Sequence, residues 1–146
     1  MKPVVHAIAG TTAMLSIATF WASTLVSELF MDQASVIIVK HSIAVYGLVV
    51  LAALMASTGG TGHRLARDRT GQLLVQKKKR MPIIARNGLL VMIPSAIFLN
   101  LKASAGEFDW QFYTIQGVEL MVGLVQLTLM GMNFRDGLGL AGRLSK

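Results

Sequence analysis

Four apolar runs, each long enough to cross a lipid bilayer, constrain this chain more than any other feature of its sequence. They cover residues 3–30, 34–57, 82–102 and 111–134. A helix needs about 20 apolar residues to span the ~30 Å hydrocarbon core. Each run therefore predicts a membrane span. Inside a bilayer the backbone must satisfy its own hydrogen bonds, which a helix does within one segment. The expected fold is an all-α integral membrane protein, a single four-transmembrane-helix domain over residues 1–146 with up-down-up-down order. The 146 residues are 53% apolar and only 14% charged, where a soluble domain is usually about a quarter charged.

The basic residues sort by side. Twelve of the fourteen Lys and Arg residues fall before the first run, between the second and third or just inside the start of the third, or after the fourth. The other two connections carry only Lys40 and Lys102, beside Glu28, Asp32, Glu107 and Asp109. Positive charge stays on the cytoplasmic side of membrane proteins. Both termini are therefore expected in the cytoplasm (N-in/C-in), with a basic cytoplasmic loop at 59–81, in a bacterial inner membrane. This topology also accounts for the net charge of +7 without nucleic acid. The run Lys77–Arg80 is expected to face the anionic inner leaflet of the lipid bilayer. The chain has no cysteine, which excludes disulfides, thiolate metal sites and Cys nucleophiles. The first run is too long for the apolar core of a cleavable signal, so it is expected to remain as a span.

Local signals refine the plan. The tight connection at 31–33 predicts an antiparallel hairpin of the first two spans. Gly59, Gly60 and Gly62 predict the end of the second helix. Leu65 to Val75 is expected either as a short helix on the inner surface or as a flexible loop. Pro94 predicts a kink at mid-depth of the third span. Trp110, Phe112 and Tyr113 predict an aromatic band where the fourth span enters from outside, and Asp136-Gly137 predicts a turn after it.

Polar residues within the spans are the candidates for function. Gln116, Glu119, Gly123, Gln126 and Asn133 fall within roughly a 100° arc of one helix. Such a stripe is expected to face other helices or a cavity. Glu119 lies roughly 12 Å from the outer end of its span, and an intramembrane carboxylate is costly unless paired, protonated or functional. Lys40 and His41 on the second span lie at similar depth. Together, Lys40, His41, Gln116, Glu119 and Gln126 are expected to line an intramembrane polar pocket. A structural hydrogen bond, proton transfer and ligand binding all fit it. On the first span Thr12, Ser16, Thr19, Ser23 and Ser27 share an arc that predicts a close packing seam.

Of the three histidines, His6 and His63 are both expected near the cytoplasmic face, whereas His41 is at the other. Two imidazoles on bundle helices are able to ligate a b-type haem. Arg64, Arg86 and the Lys77–Arg80 run are candidate partners for its propionates. Small membrane cytochromes b share the four-helix plan, as an analogy of architecture without a residue-by-residue motif. No metal-binding site is expected: zinc normally takes four ligands, and no acidic or Cys cluster joins His6 and His63. The glycines at 59–62 end a helix and lack the Gly-Lys-Ser/Thr ending of a phosphate loop. No catalytic residue is assigned.

Three function classes follow. The leading one is a small subunit or assembly partner of a membrane complex, binding other membrane subunits through its stripes. The sharpest alternative is a haem b redox protein exchanging electrons with quinone. The third is a small transporter that works as a homo-oligomer, with Glu119 as its coupling group.

Overall fold

The computed structural model describes residues 2–67 and 71–140. All regular structure in these residues is helical. The first helix runs Lys2–Phe30. The second rod comprises Gln33–Ser42, a π-helical turn at Ile43–Gly47, and Leu48–Ala66. The third comprises Gln72–Asn87, a second π turn at Gly88–Met92, and Ile93–Ser104. The fourth helix is Trp110–Leu140. All four are long and apolar enough to cross a membrane. Only 11% to 22% of the most apolar stretch of each is buried within the chain. Large side chains such as Ile8, Val49, Leu90 and Met121 point outward. So much outward apolar surface requires lipid around it, and the chain is an integral membrane protein.

The helices run further than the apolar runs alone indicate. The second passes through Gly59, Gly60 and Gly62 to Ala66, so these glycines do not stop it. Glycine is tolerated in membrane helices, where neighbouring helices and local adjustments resupply the backbone. The segment 59–81, expected as a basic loop, is helical over most of its length. Of the stretch Leu65–Val75, the described residues join the second rod up to Ala66 and the third from Gln72, while 68–70 lie outside the described residues. The fourth helix likewise continues through Asp136 and Gly137, where a turn was expected.

The turns at the other end are capped as their sequences predict. Asp32 Oδ1 accepts hydrogen bonds from Ser35 N (3.0 Å) and Ser35 Oγ (2.6 Å), an N-cap for the second helix. Gly106 has φ +72°. It closes the third helix with Gly106 N–H donating to Ala103 O and Glu107 N–H to Lys102 O, the left-handed glycine ending. Asp109 Oδ1 then caps the fourth helix at Phe112 N, 3.0 Å away. Of the expected aromatic band, Trp110 and Tyr113 point outward but Phe112 is fully buried. It packs with Val36, Leu99 and Ala103 in a small core at this hairpin end.

Adjacent bulky residues lock the first helix to two neighbours. Phe20 presses on Gly47, in the first π turn; a Cβ there would lie 2.7 Å from the Phe20 ring. Trp21 presses on Gly123 of the fourth helix, and its Nε1 donates to Leu120 O at 2.8 Å. The inward seam of the first helix is Ala9, Ala13, Ile17, Thr24 and Ser27. The hydroxyl stripe expected there points elsewhere at Thr12 and Thr19. Ser16 and Thr19 donate to the carbonyls of Thr12 and Leu15 one turn back. Their own helix satisfies them, and they need no facing partner.

Pro94 does not act alone. Its ring removes a backbone donor and crowds the carbonyl four residues earlier, which belongs to Leu90 inside the π turn Gly88–Met92. The wider turn absorbs the clash.

The rods separate at the end that carries Lys77–Arg80, termed here the basic end. At the hairpin end Gln33–Ser42 packs on Ile93–Ser104. Further along, Leu48–Ala66 packs mainly on the first helix and Gln72–Asn87 on the fourth. The second and third rods thus part company and leave an internal space between them.

Candidate functional site

That space is a cavity of about 1470 Å³, larger than the roughly 300–1,000 Å³ of an ordinary small-ligand pocket. Its walls are mostly apolar, including Ile17, Leu51, Met55, Met81, Met92 and Met130. Polar groups gather at its two ends. His6, His63, Arg67, Lys77 and Lys78 border it at the basic end, and Thr24 and Glu119 border it deep in the bundle.

His6 is half-buried, and its orientation is fixed. Its Nδ1 lies 3.1 Å from Thr58 O and 3.1 Å from Thr61 Oγ1, both on the second rod. A carbonyl oxygen only accepts, so Nδ1 carries the proton and donates. In the neutral ring Nε2 then holds the free lone pair. Thr61 Oγ1 donates its own proton to Ser57 O at 2.6 Å, which leaves the oxygen able to accept from His6. Gly62 makes this approach feasible, because a Cβ at that position would lie 3.0 Å from His6 Cε1. The glycine expected to break the helix instead gives the imidazole its seat.

The structure distributes the other ligand candidates unevenly. His63 follows Gly62, borders the cavity and is exposed. Arg64 and Arg86 are exposed and are not part of the cavity wall, which takes its positive charge from Arg67, Lys77 and Lys78. Lys77 also approaches the fourth helix, 3.5 Å from where a Cβ on Gly137 would lie.

The expected polar pocket divides into separate sites. Lys40 and Glu119 meet: Nζ to Oε2 is 2.9 Å, with Lys40 2% and Glu119 13% exposed. Gln116 Nε2 donates to the same carboxylate oxygen at 3.1 Å, and Lys40 Nζ also lies 3.5 Å from Thr24 Oγ1. His41 is exposed and stays outside this cluster. Being next to Lys40 on a helix, it points about 100° away. Gln126 lies about two turns from Glu119 along the fourth helix. There its Nε2 donates to Ile84 O at 3.0 Å, bracing the third rod just ahead of its π turn. The stripe on the fourth helix does face inward, with Gln116, Gly123, Gln126 and Asn133 all buried.

Two features escaped the sequence reading. Glu28 lies one turn beyond Thr24, and its Oε1 is buried without a hydrogen-bond partner among the described residues. Depth counting could have found Thr24 and its helix face, since Thr24 and Lys40 lie equally far from Asp32 along the hairpin. The second is an ion pair at the basic end. Arg80 Nη1 lies 2.5 Å from Asp136 Oδ2, supported by Asn133 Oδ1 at 3.5 Å and Gln76 Oε1 at 3.3 Å. It ties the third rod to the fourth and removes Arg80 from the free basic run.

No protein-family model, curated protein or solved structure matches this chain. Among the described residues no group of three or more His, Asp or Glu side chains converges as a metal site. A single oriented imidazole on a large apolar cavity is a different arrangement. It suits a cofactor that brings most of its own coordination.

Proposed function

We propose that this chain is a small integral membrane subunit that binds haem b in the cavity at its basic end. His6 carries the proposal. Its Nδ1–H is tied to a backbone carbonyl, and its ring borders a large apolar space. Ligating histidines almost always donate the other ring N–H in this way, which fixes the tautomer and raises ligand basicity. Haem also matches the rest of the cavity: apolar walls suit a porphyrin face, and Lys77 and Lys78 suit its propionates. The propionate role expected of Arg64 and Arg86 passes to these lysines. His63, exposed at the mouth, is assigned no ligand role. Bound haem would supply one-electron chemistry. The protein's part is to hold the iron, shield it from water and set its electrostatics. Exchange with quinone or with neighbouring subunits of a membrane complex would give that chemistry its use.

The orientation belongs to the same proposal. The end carrying Lys77–Arg80 and both termini faces the cytoplasm of a bacterial inner membrane, as its excess of Lys and Arg favours.

The test is a visible absorption spectrum of the full chain, made with adequate haem supply and purified in mild detergent. Spectra are taken oxidised and dithionite-reduced. A Soret band with sharp reduced α and β bands, lost in His6→Ala, is the expected result. A featureless spectrum, or full haem retention in His6→Ala, overturns the haem assignment. In that case the cavity is left to a lipid chain or an isoprenoid.

A further inference from the structure

We infer that Glu28, Lys40 and Glu119 together bind one exchangeable proton. The inference does not depend on what His6 holds.

Two carboxylates flank one ammonium: Glu119 Oε2 lies 2.9 Å from Lys40 Nζ, and Glu28 lies one helical turn beyond Thr24, whose hydroxyl is 3.5 Å from the same Nζ. Fully ionised, the group carries one excess negative charge in a region where uncompensated charge is expensive. The surroundings offer no second cation among the described residues. From the first helix come Thr24 and Ser27, and from the second Val36 and Lys40, with His41 turned outward. The third contributes Ser95, Leu99 and Ala103, and the fourth Phe112 and Gln116. Lys102, the next cation along, is engaged with Glu107 at 2.9 Å and Asp109 at 2.6 Å.

Glu28 Oε1 and Gln116 Oε1 are buried without a hydrogen-bond partner among the described residues. Gln116 is only 4% exposed, and its amide nitrogen already donates to Glu119. Both orphaned atoms are acceptors. The cluster lacks hydrogen, not oxygen. One added proton supplies a donor and brings the net charge of the three side chains to zero.

Infrared spectra of the purified full chain at neutral pH test the site. Wild type should show a protonated-carboxyl band. A shared proton has a distinctive dependence, because removing either carboxylate leaves one anion beside one cation. Glu28→Gln and Glu119→Gln should each abolish the band, and Lys40→Met should about double it as both carboxylates take protons. No band in wild type, or a band that survives in either Gln variant, overturns the shared site. So does a wild-type band that disappears on adding sodium at constant pH, which would assign the place to a metal cation. Circular dichroism confirms folding, and the two Gln variants decide the site even if Lys40→Met does not fold.

Discussion

Lys40 Nζ sits 2.9 Å from Glu119 Oε2, a pairing between the second and fourth helices with the lysine almost wholly buried. Removing one member of a buried pair strands the other charge and typically costs about 3–5 kcal/mol, whereas replacing both with apolar residues is often neutral or stabilising. Lys40→Ala should therefore destabilise the bundle by about 3 kcal/mol, at the low end because proton uptake relieves the stranded carboxylates. Lys40→Met combined with Glu119→Leu should recover most of that loss. Reversible unfolding in mixed micelles measures both. Equal losses in the single and double variants would mean that packing, not charge pairing, holds this level of the bundle.

The contact between Phe20 and Gly47 offers a test of the fold without charge. A Cβ on Gly47 would meet the Phe20 ring at 2.7 Å, so something must shift. Overpacking of this kind costs about 1–3 kcal/mol. Gly47→Ala should show that loss in the same unfolding assay, and Phe20→Leu should restore part of it in the double variant. Additive losses would place the ring elsewhere.

Haem retention should separate the two histidines at the basic end. His6→Ala should lose haem, while His63→Ala should keep it, because His63 is exposed and carries no orienting bond among the described residues. Thr61→Val removes one acceptor from His6 Nδ1 and leaves Thr58 O in place. Outer-shell changes of this type weaken metal binding by about 10–100-fold, and the surviving carbonyl argues for about tenfold. Haem titration of the apo-protein followed at the Soret band reads all three.

The turn at the hairpin end should be acid-sensitive. Asp109 is held below the usual carboxylate range first by its hydrogen bond from Lys102 and then by the Phe112 backbone N–H. A lowered folded-state pKa gives stabilisation that is complete above the unfolded value, near 3.9. It is lost as the pH falls through the folded value. Asp32, lowered by the Ser35 hydroxyl and N–H, acts in the same direction. Protection of the amides at 110–113, taken relative to the intrinsic exchange rate at each pH, should therefore fall below about pH 4. In Asp109→Asn the protection should be lower at neutral pH and nearly independent of pH over that range. Acid-insensitive protection in wild type would mean that the Asp109 cap does not hold this turn.

Parts of the site were legible in the sequence because membrane helices are regular. A stripe at helical spacing has to face inward when lipid lies outside, and Gln116, Gln126 and Asn133 do. Equal depth was enough to name Lys40 and His41 as candidates beside Glu119. Depth alone could not separate His41 from Lys40, since adjacent residues share a level but not a face. It also mislaid Gln126, which shares the stripe with Glu119 but sits about two turns away.

The sequence by itself determined four spanning helices, the placement of nearly all positive charge at alternate connections, and the inward face of the fourth helix. Bilayer thickness, desolvation of charge and helical periodicity act on each segment separately, so one chain read alone is sufficient for them. Only the tertiary structure decided that Gly62 seats His6 and that Phe20 and Trp21 wedge against glycines on two neighbours. It also set Thr24 against Lys40, and it parted the second and third rods around a cavity. Those outcomes depend on helix rotation and on which pairs of helices touch. They arise from side-chain volumes and hydrogen bonds between residues far apart in the chain, a relation that no local pattern carries.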